Sequence, residues 1–224
     1  MSCPKCKNLG IICKKDNDGY ELFSHYCDCE IGKAKETGLI TYKLSNANIY
    51  EKYWKSTLSD LQAQPSEHHA KYIRKIKELA TNIPEGYTMV IYGNSGVGKT
   101  MGTSLLLKHY LLSTEYSCYY TTMPEMLSQI LRDDSVDDEL SFFTMLKDVD
   151  ILVIDDVGLT AIQRTEFPAV TVNSLLRDRI SSNKRTFVIL TDGKLLENQY
   201  KFIAKLVSPN NIYDVIGKNG WISK

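Results

Sequence analysis

The chain has no run of 18 apolar residues, which excludes a membrane-spanning helix. Its first residues, Met1-Ser2-Cys3-Pro4-Lys5, lack the apolar core of a secretory signal, so a cytoplasmic location is expected. Net charge is absent too: 27 Lys and Arg balance 27 Asp and Glu, so bulk charge does not announce a nucleic-acid partner. There are no internal repeats and no low-complexity tract. Arginine does not occur after Arg185, and cysteine is nearly missing beyond residue 29. Five of the six cysteines precede that point, and Cys118 stands alone in an expected strand. Without an export signal, clustered cysteines point to metal ligands rather than disulfides.

What is present is more specific. Residues Gly93-Asn94-Ser95-Gly96-Val97-Gly98-Lys99-Thr100 follow the phosphate-loop pattern G-x-x-x-x-G-K-[ST]. The glycines let successive N–H groups turn toward phosphate oxygens. Lys99 brings a cation to the β- and γ-phosphates, and Thr100 a hydroxyl to Mg²⁺. The context fits: Tyr87–Tyr92 reads as a strand, and Met101–Leu112 as a helix whose N-terminus favours an anion. Gly93 to Met101 are therefore the expected ATP contacts.

A second element supports the first. Ile151-Leu152-Val153-Ile154 is apolar throughout, as a strand buried on both faces requires, and it runs into Asp155-Asp156. Asp155 is expected in the Mg²⁺ shell and Asp156 as base or orienter of the attacking water. Around these lie further expected elements. They are a strand at Tyr116–Thr122, a helix begun by Pro124, an acidic break at 133–139 and a helix ending near Lys147. A helix at Phe167–Ser182, a strand at Thr186–Leu190 ending in Thr191-Asp192, and a helix from Leu195 to Leu206 follow. The alternation predicts an α/β fold with a mostly parallel sheet.

The N-terminal cysteines read as Cys3-x-x-Cys6 and Cys27-x-Cys29, separated by a predicted hairpin. Its strands are Leu9–Lys15 and Tyr20–Tyr26, with a turn at Asp16-Asn17-Asp18-Gly19. A hairpin brings the two pairs together, as a closed tetrahedral Zn²⁺ site requires. Cys13 and His25 are spare ligands. The expected organisation is a zinc-binding module at 1–32, a linker at 33–66 containing the aromatic run 48–54, and an ATPase domain at 67–224. Ser66 is read as the cap of a helix over Glu67–Ala80.

Taken in order, these features resemble the DnaC-type replicative helicase loaders, bacterial or phage, of the AAA+ ATPase class. They also look like the transposition-helper ATPases that share the core. The resemblance implies a P-loop AAA+ core without a lid domain, with ATP, Mg²⁺ and Zn²⁺ as cofactors. It implies a replicative hexameric helicase and single-stranded DNA as partners, leaves homo-oligomerisation open, and involves no membrane. It also places a γ-phosphate sensor at Thr191-Asp192, where Asn is more usual, so Asp192 joins Lys99, Asp155 and Asp156 as a catalytic candidate. The Asp192→Asn variant is expected to hydrolyse ATP faster.

The family's arginine finger has no counterpart in the region after the sensor strand. Lys201, Lys205, Arg177 and Arg179 are the substitutes available, and slow intrinsic hydrolysis is expected. Candidate DNA contacts are Lys108, Arg132, Lys184 and Arg185, with Phe142 or Phe143 for stacking. Two alternatives to the loader remain: a transposition helper that binds duplex target DNA, and a nucleotide-gated helicase-binding adaptor with negligible turnover. A small-molecule kinase is disfavoured, because such kinases close an arginine-rich lid over the phosphates.

Overall fold

The computed structural model describes residues 3–17, 20–133, 141–158, 166–198 and 200–215. Part of the predicted turn (Asp18-Gly19), most of the acidic break and Trp221 lie outside the described residues. The chain forms two compact units, Met1–Asn46 and Ala47–Lys224.

The first unit opens with the antiparallel pair β1 (Ile11–Lys15) and β2 (Glu21–Tyr26). The pairing register shifts between Ile12 and Cys13. A 17-residue helix, α1 (Glu30–Asn46), follows. It lies in the stretch read from sequence as linker, and the unit boundary falls between the expected boundaries at 32 and 66. The reason is visible in its burial: only Gly32 and Leu44 of α1 are buried, so the helix carries no apolar stripe for the sequence to announce.

The second unit is a five-stranded parallel sheet flanked by helices, the architecture of a P-loop AAA+ core. Its strands are β3 (Thr88–Gly93), β4 (Cys118–Thr122), β5 (Ile151–Val157), β6 (Arg185–Leu190) and β7 (Ile212–Val215). The spatial order is β4-β5-β6-β3-β7. The helices are α2 (Glu67–Leu79), α3 (Lys99–Ser113), α4 (Met123–Arg132), α5 (Phe142–Asp148), α6 (Phe167–Ser181) and α7 (Lys201–Leu206).

Local chemistry explains several of these limits. Ser66 caps α2 by accepting the His69 N–H, as read from sequence. At α4, Thr122 and Glu125 form a reciprocal capping box with Pro124 in the first turn. The expected helix at 195–206 is instead a 3₁₀ turn at Gly193–Leu196 and a separate α7. Asp192 starts that turn by accepting the Lys194 N–H at 2.9 Å, so the chain is committed to a tight turn before α7 begins. Strand β7 was not read from sequence; with four residues after Pro209-Asn210-Asn211, its signal is short. It pairs with β3, placing Val215 opposite Gly93.

Parallel strands share a direction, so the C-terminal ends of β3, β5 and β6 gather the phosphate loop, the two acids and Thr191 along one edge, where open α/β sheets hold ligands. Beneath it the apolar core includes Val90, Leu152, Ile154, Val157, Val172, Leu175, Leu176, Val188 and Leu190, all fully buried. Among the described residues, no helix is long and apolar enough to cross a membrane.

Candidate nucleotide and metal sites

The phosphate loop leaves β3 and enters α3 through three glycines with positive φ: Gly93 (133°), Gly96 (73°) and Gly98 (88°). A side chain at Gly93 would collide with the Val215 backbone on β7, so this glycine is needed for close approach as well as for conformation. Asn94, Ser95 and Gly96 are exposed, whereas Val97 is completely buried and anchors the loop from below. The concave run of N–H groups and the α3 N-terminus together form an anion cradle. Met101 lies in the first turn of α3.

Lys99 turns back over this cradle. Its ammonium donates to the carbonyls of Gly93 at 2.8 Å and Asn94 at 2.7 Å. Burial holds its pKa below the ordinary lysine value, partly offset by Asp155 and Asp156. Thr100 donates its hydroxyl to Asp155 Oδ2 at 2.6 Å. A hydroxyl and a carboxylate in direct contact at the cradle's end are hard oxygen donors suited to Mg²⁺. Lys99, Thr100 and Asp155 thus come together as the sequence reading expected.

The structure adds supports that the sequence reading missed. His69, fully buried on α2, contacts the Val97 carbonyl through Nε2 at 2.9 Å. Its Nδ1 accepts the Gln64 N–H at 3.0 Å, so Nε2 carries the proton. Tyr72, one turn on, donates to the Lys99 carbonyl at 2.9 Å. A side chain at Gly102 would strike the Tyr72 ring, which explains the glycine inside α3. An apolar stripe with His69 and Tyr72 at i and i+3 was the available sequence signal, but it is also what any packed helix shows.

Asp155 and Asp156 sit in a local break of the sheet. The β5–β6 register slips between Ile154 and Val157, and Asp156 has a left-handed backbone with φ of 54°. Such a bulge re-aims side chains at a strand end. Asp155 is buried, and its Oδ1 accepts the Asp156 N–H at 2.7 Å. Its Oδ2 accepts from Thr100 and also from Tyr120 at 2.7 Å. Asp156 is less enclosed, and its pKa is raised, first by burial and then by the neighbouring Asp155 charge. Asp192 is exposed and uses its carboxylate to start the 3₁₀ turn. Thr191 donates to the Val157 carbonyl at 3.4 Å.

The remaining basic candidates are mostly committed elsewhere. Arg179 is fully buried and cannot serve as a finger for a neighbouring site. Its guanidinium donates to the carbonyls of Leu146, Lys147, Val149 and Arg185 and to the Thr186 hydroxyl. Arg177 is exposed and bonds only locally, to Asn173 at 3.0 Å. Lys108 donates to the carbonyls of Trp54 and Ser56. Lys184 pairs with Asp150 at 2.9 Å, and Arg185 is buried against Tyr116. All three are engaged in intramolecular ties in this structure. Phe142 and Phe143 are partly buried against the core, while Arg132 is exposed at the end of α4.

In the first unit, Cys3, Cys6, Cys27 and Cys29 converge, with all four sulfurs within 4.8 Å of one another. Cys3 lies 3.7 Å from Cys27, and Cys6 lies 3.6 Å from Cys29. A tetrahedral ion with Zn–S bonds of about 2.3 Å needs sulfurs about 3.8 Å apart, so the spacing fits Zn²⁺. The Gly10 and Gly32 N–H groups point to Cys6 and Cys29 sulfur at 3.3 and 3.5 Å. Cys13 is exposed on β1 and His25 contacts Ser24, so neither belongs to the cluster.

Comparison with known proteins agrees with this geometry. Residues 51–207 match the family of IstB-like ATP binding proteins. The chain belongs to that family. It is also similar to the crystal structure of the DnaC helicase loader, with TM-score 0.62 and 16% identity over 75% of this chain and 100% of that one. A structure of DnaI gives TM-score 0.57 and 18% identity over 76% and 93%. The replication initiator DnaA bound to AMPPCP and single-stranded DNA gives 0.58 and 16% over 76% and 51%. At such identities the likeness is one of fold. No curated protein matches the chain at the sequence level. Membership in an ATP-binding family fits the loop of Gly93–Thr100 and its pairing with Asp155.

Proposed function

We propose that this chain is an ATP-dependent loader that binds a replicative ring helicase and delivers it to single-stranded DNA. The ATPase core is the engine of either a loader or a transposition helper. The observation that carries the loader reading is the separate four-thiol unit ahead of it. That unit exposes Leu9, Tyr20, Leu22 and Phe23 by more than half of their surface, which suits gripping a protein partner. Zn²⁺ would be held by Cys3, Cys6, Cys27 and Cys29 in a closed structural site.

In the core, the cradle from Gly93 to Thr100 would bind the phosphates, with Lys99 moving from the Gly93 and Asn94 carbonyls onto the β- and γ-phosphates. Thr100 and Asp155 would hold Mg²⁺, which supplies charge neutralisation when bound. Asp156, less enclosed and with a raised pKa, would orient the attacking water and accept its proton. Asp192 is the sensor position, and its negative charge would slow hydrolysis. With Arg179 locked inside the core, Arg177 is the arginine among the substitutes that stays exposed, so turnover of the isolated chain would be slow. DNA contact would fall to surfaces other than Lys108, Lys184 and Arg185. A cytoplasmic site of action follows from this reading.

The test is co-elution with the replicative helicase of the host cell or phage, with and without ATP, by size exclusion with light scattering. The loader reading expects a complex that survives Lys99→Ala and is lost when Cys3 and Cys6 are replaced by Ser. No complex under any nucleotide condition would overturn it, and binding to duplex DNA instead would favour the transposition helper.

A further inference from the structure

Asp155 Oδ2 receives two hydrogen bonds, one from Thr100 on α3 and one from Tyr120 on β4, the neighbouring strand. Thr100 is part of the phosphate-loop motif. Tyr120 belongs to no motif: it is a tyrosine in the middle of an edge strand, 1% exposed, two residues before the β4 terminus. A buried phenol on that strand needs a partner, and the one it has is the carboxylate expected beside the metal. With the Asp156 N–H on Oδ1, three donors from three directions fix the Asp155 carboxylate plane.

Two of these donors would not touch the ion, and Tyr120 is the side chain among them. If Mg²⁺ took the Thr100 oxygen as a ligand, that hydroxyl would answer to the ion as well as to Asp155, and the Asp156 N–H belongs to the bulge itself. Tyr120 is held independently of both. Its own N–H donates to the Ala47 carbonyl at 2.9 Å, and its carbonyl accepts from the Asn48 side chain at 3.0 Å. The Tyr50 ring meets it edge-on with centroids 5.2 Å apart. The segment 47–50 thus pins Tyr120 from outside the sheet.

We propose that Tyr120 is a positioning residue for magnesium, holding Asp155 in the orientation that the hydrated ion requires. The proposal rests on the reading of this site as one for Mg²⁺-nucleotide. Partners that orient metal ligands typically matter about 10–100-fold in metal affinity.

The experiment titrates Mg²⁺ into the full chain with a fluorescent ADP, for the wild type and for Tyr120→Phe, with matched measurements in EDTA. The expected result is about a tenfold or larger rise in the Mg²⁺ needed for half-maximal enhancement, with nucleotide affinity in EDTA unchanged. In an Asp155→Asn background, Tyr120→Phe should have no further effect on the Mg²⁺ midpoint, because the carboxylate it orients is gone. Unfolding midpoints without nucleotide separate loss of fold from loss of metal. Equal weakening in EDTA and in Mg²⁺, an unshifted Mg²⁺ midpoint, or an undiminished effect in the Asp155→Asn background would each overturn the proposal. A wild-type chain that binds no nucleotide at all would overturn the Mg²⁺-nucleotide reading along with it.

Discussion

The two units of this chain are held together by different physics. In the second unit, every residue of β6 and the first five residues of β5 are buried, and layers of Leu, Ile and Val fill the space against α4 and α6. In the first unit, the buried residues among those described are Cys6, Gly10, Cys27, Gly32 and Leu44. Leu22, Phe23, Ile31, Leu39 and Tyr42 are exposed there. Apolar burial stabilises at roughly 25 cal/mol per Å², so the core can hold itself while the small unit has little to draw on. Its centre is four sulfurs instead of a cluster of methyl groups. The lesson is that one chain can place a fold centred on four thiols beside one centred on apolar side chains, and each should fail separately.

Chelation, or loss of the cysteines, is the strongest way to test that separation. Structural Zn²⁺ sites contribute roughly 10–16 kcal/mol in small peptides, more than this unit can replace. A strong chelator, or Cys3→Ser with Cys6→Ser, should erase amide-exchange protection across Ile11–Lys15 and Glu21–Tyr26. Protection of β3, β5 and β6 and nucleotide binding should persist. Protection of the hairpin that survives chelation would mean the unit has another source of stability, and the contrast would collapse.

Arg179 sharpens the comparison from the other side, because it is a polar centre inside the apolar unit. Its guanidinium ties α6 to the end of α5 and to β6 through four carbonyls and a hydroxyl. Burial lowers its pKa to about 10, so it stays charged at neutral pH. In Arg179→Leu those carbonyls lose their donor, at about 1–3 kcal/mol for each left unsatisfied. The core should lose about 3 kcal/mol or more in denaturant unfolding, with the cysteine unit unchanged. A loss under about 1 kcal/mol would show that the carbonyls find other donors once the side chain shrinks.

The legible parts of this protein were those where one physical demand leaves few residue choices. A phosphate cradle needs Gly93, Gly96 and Gly98, a doubly covered strand needs Ile151 to Ile154, and a four-sulfur cluster needs two paired cysteines. The fold class and the association of Lys99, Thr100 and Asp155 could therefore be read directly. Three things could not. Helix α1 hides because it buries almost nothing, so no period marks it. Arg179 reads as a surface finger because its five acceptors, four carbonyls and a hydroxyl, come from other elements of the fold that the sequence does not label. Tyr120, His69 and Tyr72 look like ordinary core aromatics, since their roles depend on which backbone or carboxylate the fold brings opposite them.

The smallest effect separates two adjacent acids. Asp155 is satisfied by three donors, whereas Asp156 has a pKa raised by burial and by its neighbour's charge. A carboxyl whose folded pKa lies above its unfolded value favours folding when protonated. That contribution is lost as pH rises through the folded pKa, so at neutral pH the Asp156 charge is a cost to the fold. Asp156→Asn should then raise the core's unfolding midpoint at neutral pH by at most a few degrees. The gain should shrink as pH falls into the carboxylate range, where the wild type is itself neutral. Asn tolerates the left-handed backbone at this position, so the bulge should be preserved. The same variant should retain nucleotide and lose hydrolysis, measured by phosphate release. A midpoint that does not rise, or a gain independent of pH, would show that the Asp156 charge costs the fold nothing. A rise would mean that the core tolerates a destabilising charge at the C-terminal edge of its sheet, which the cysteine unit, with so little buried, has no margin to do.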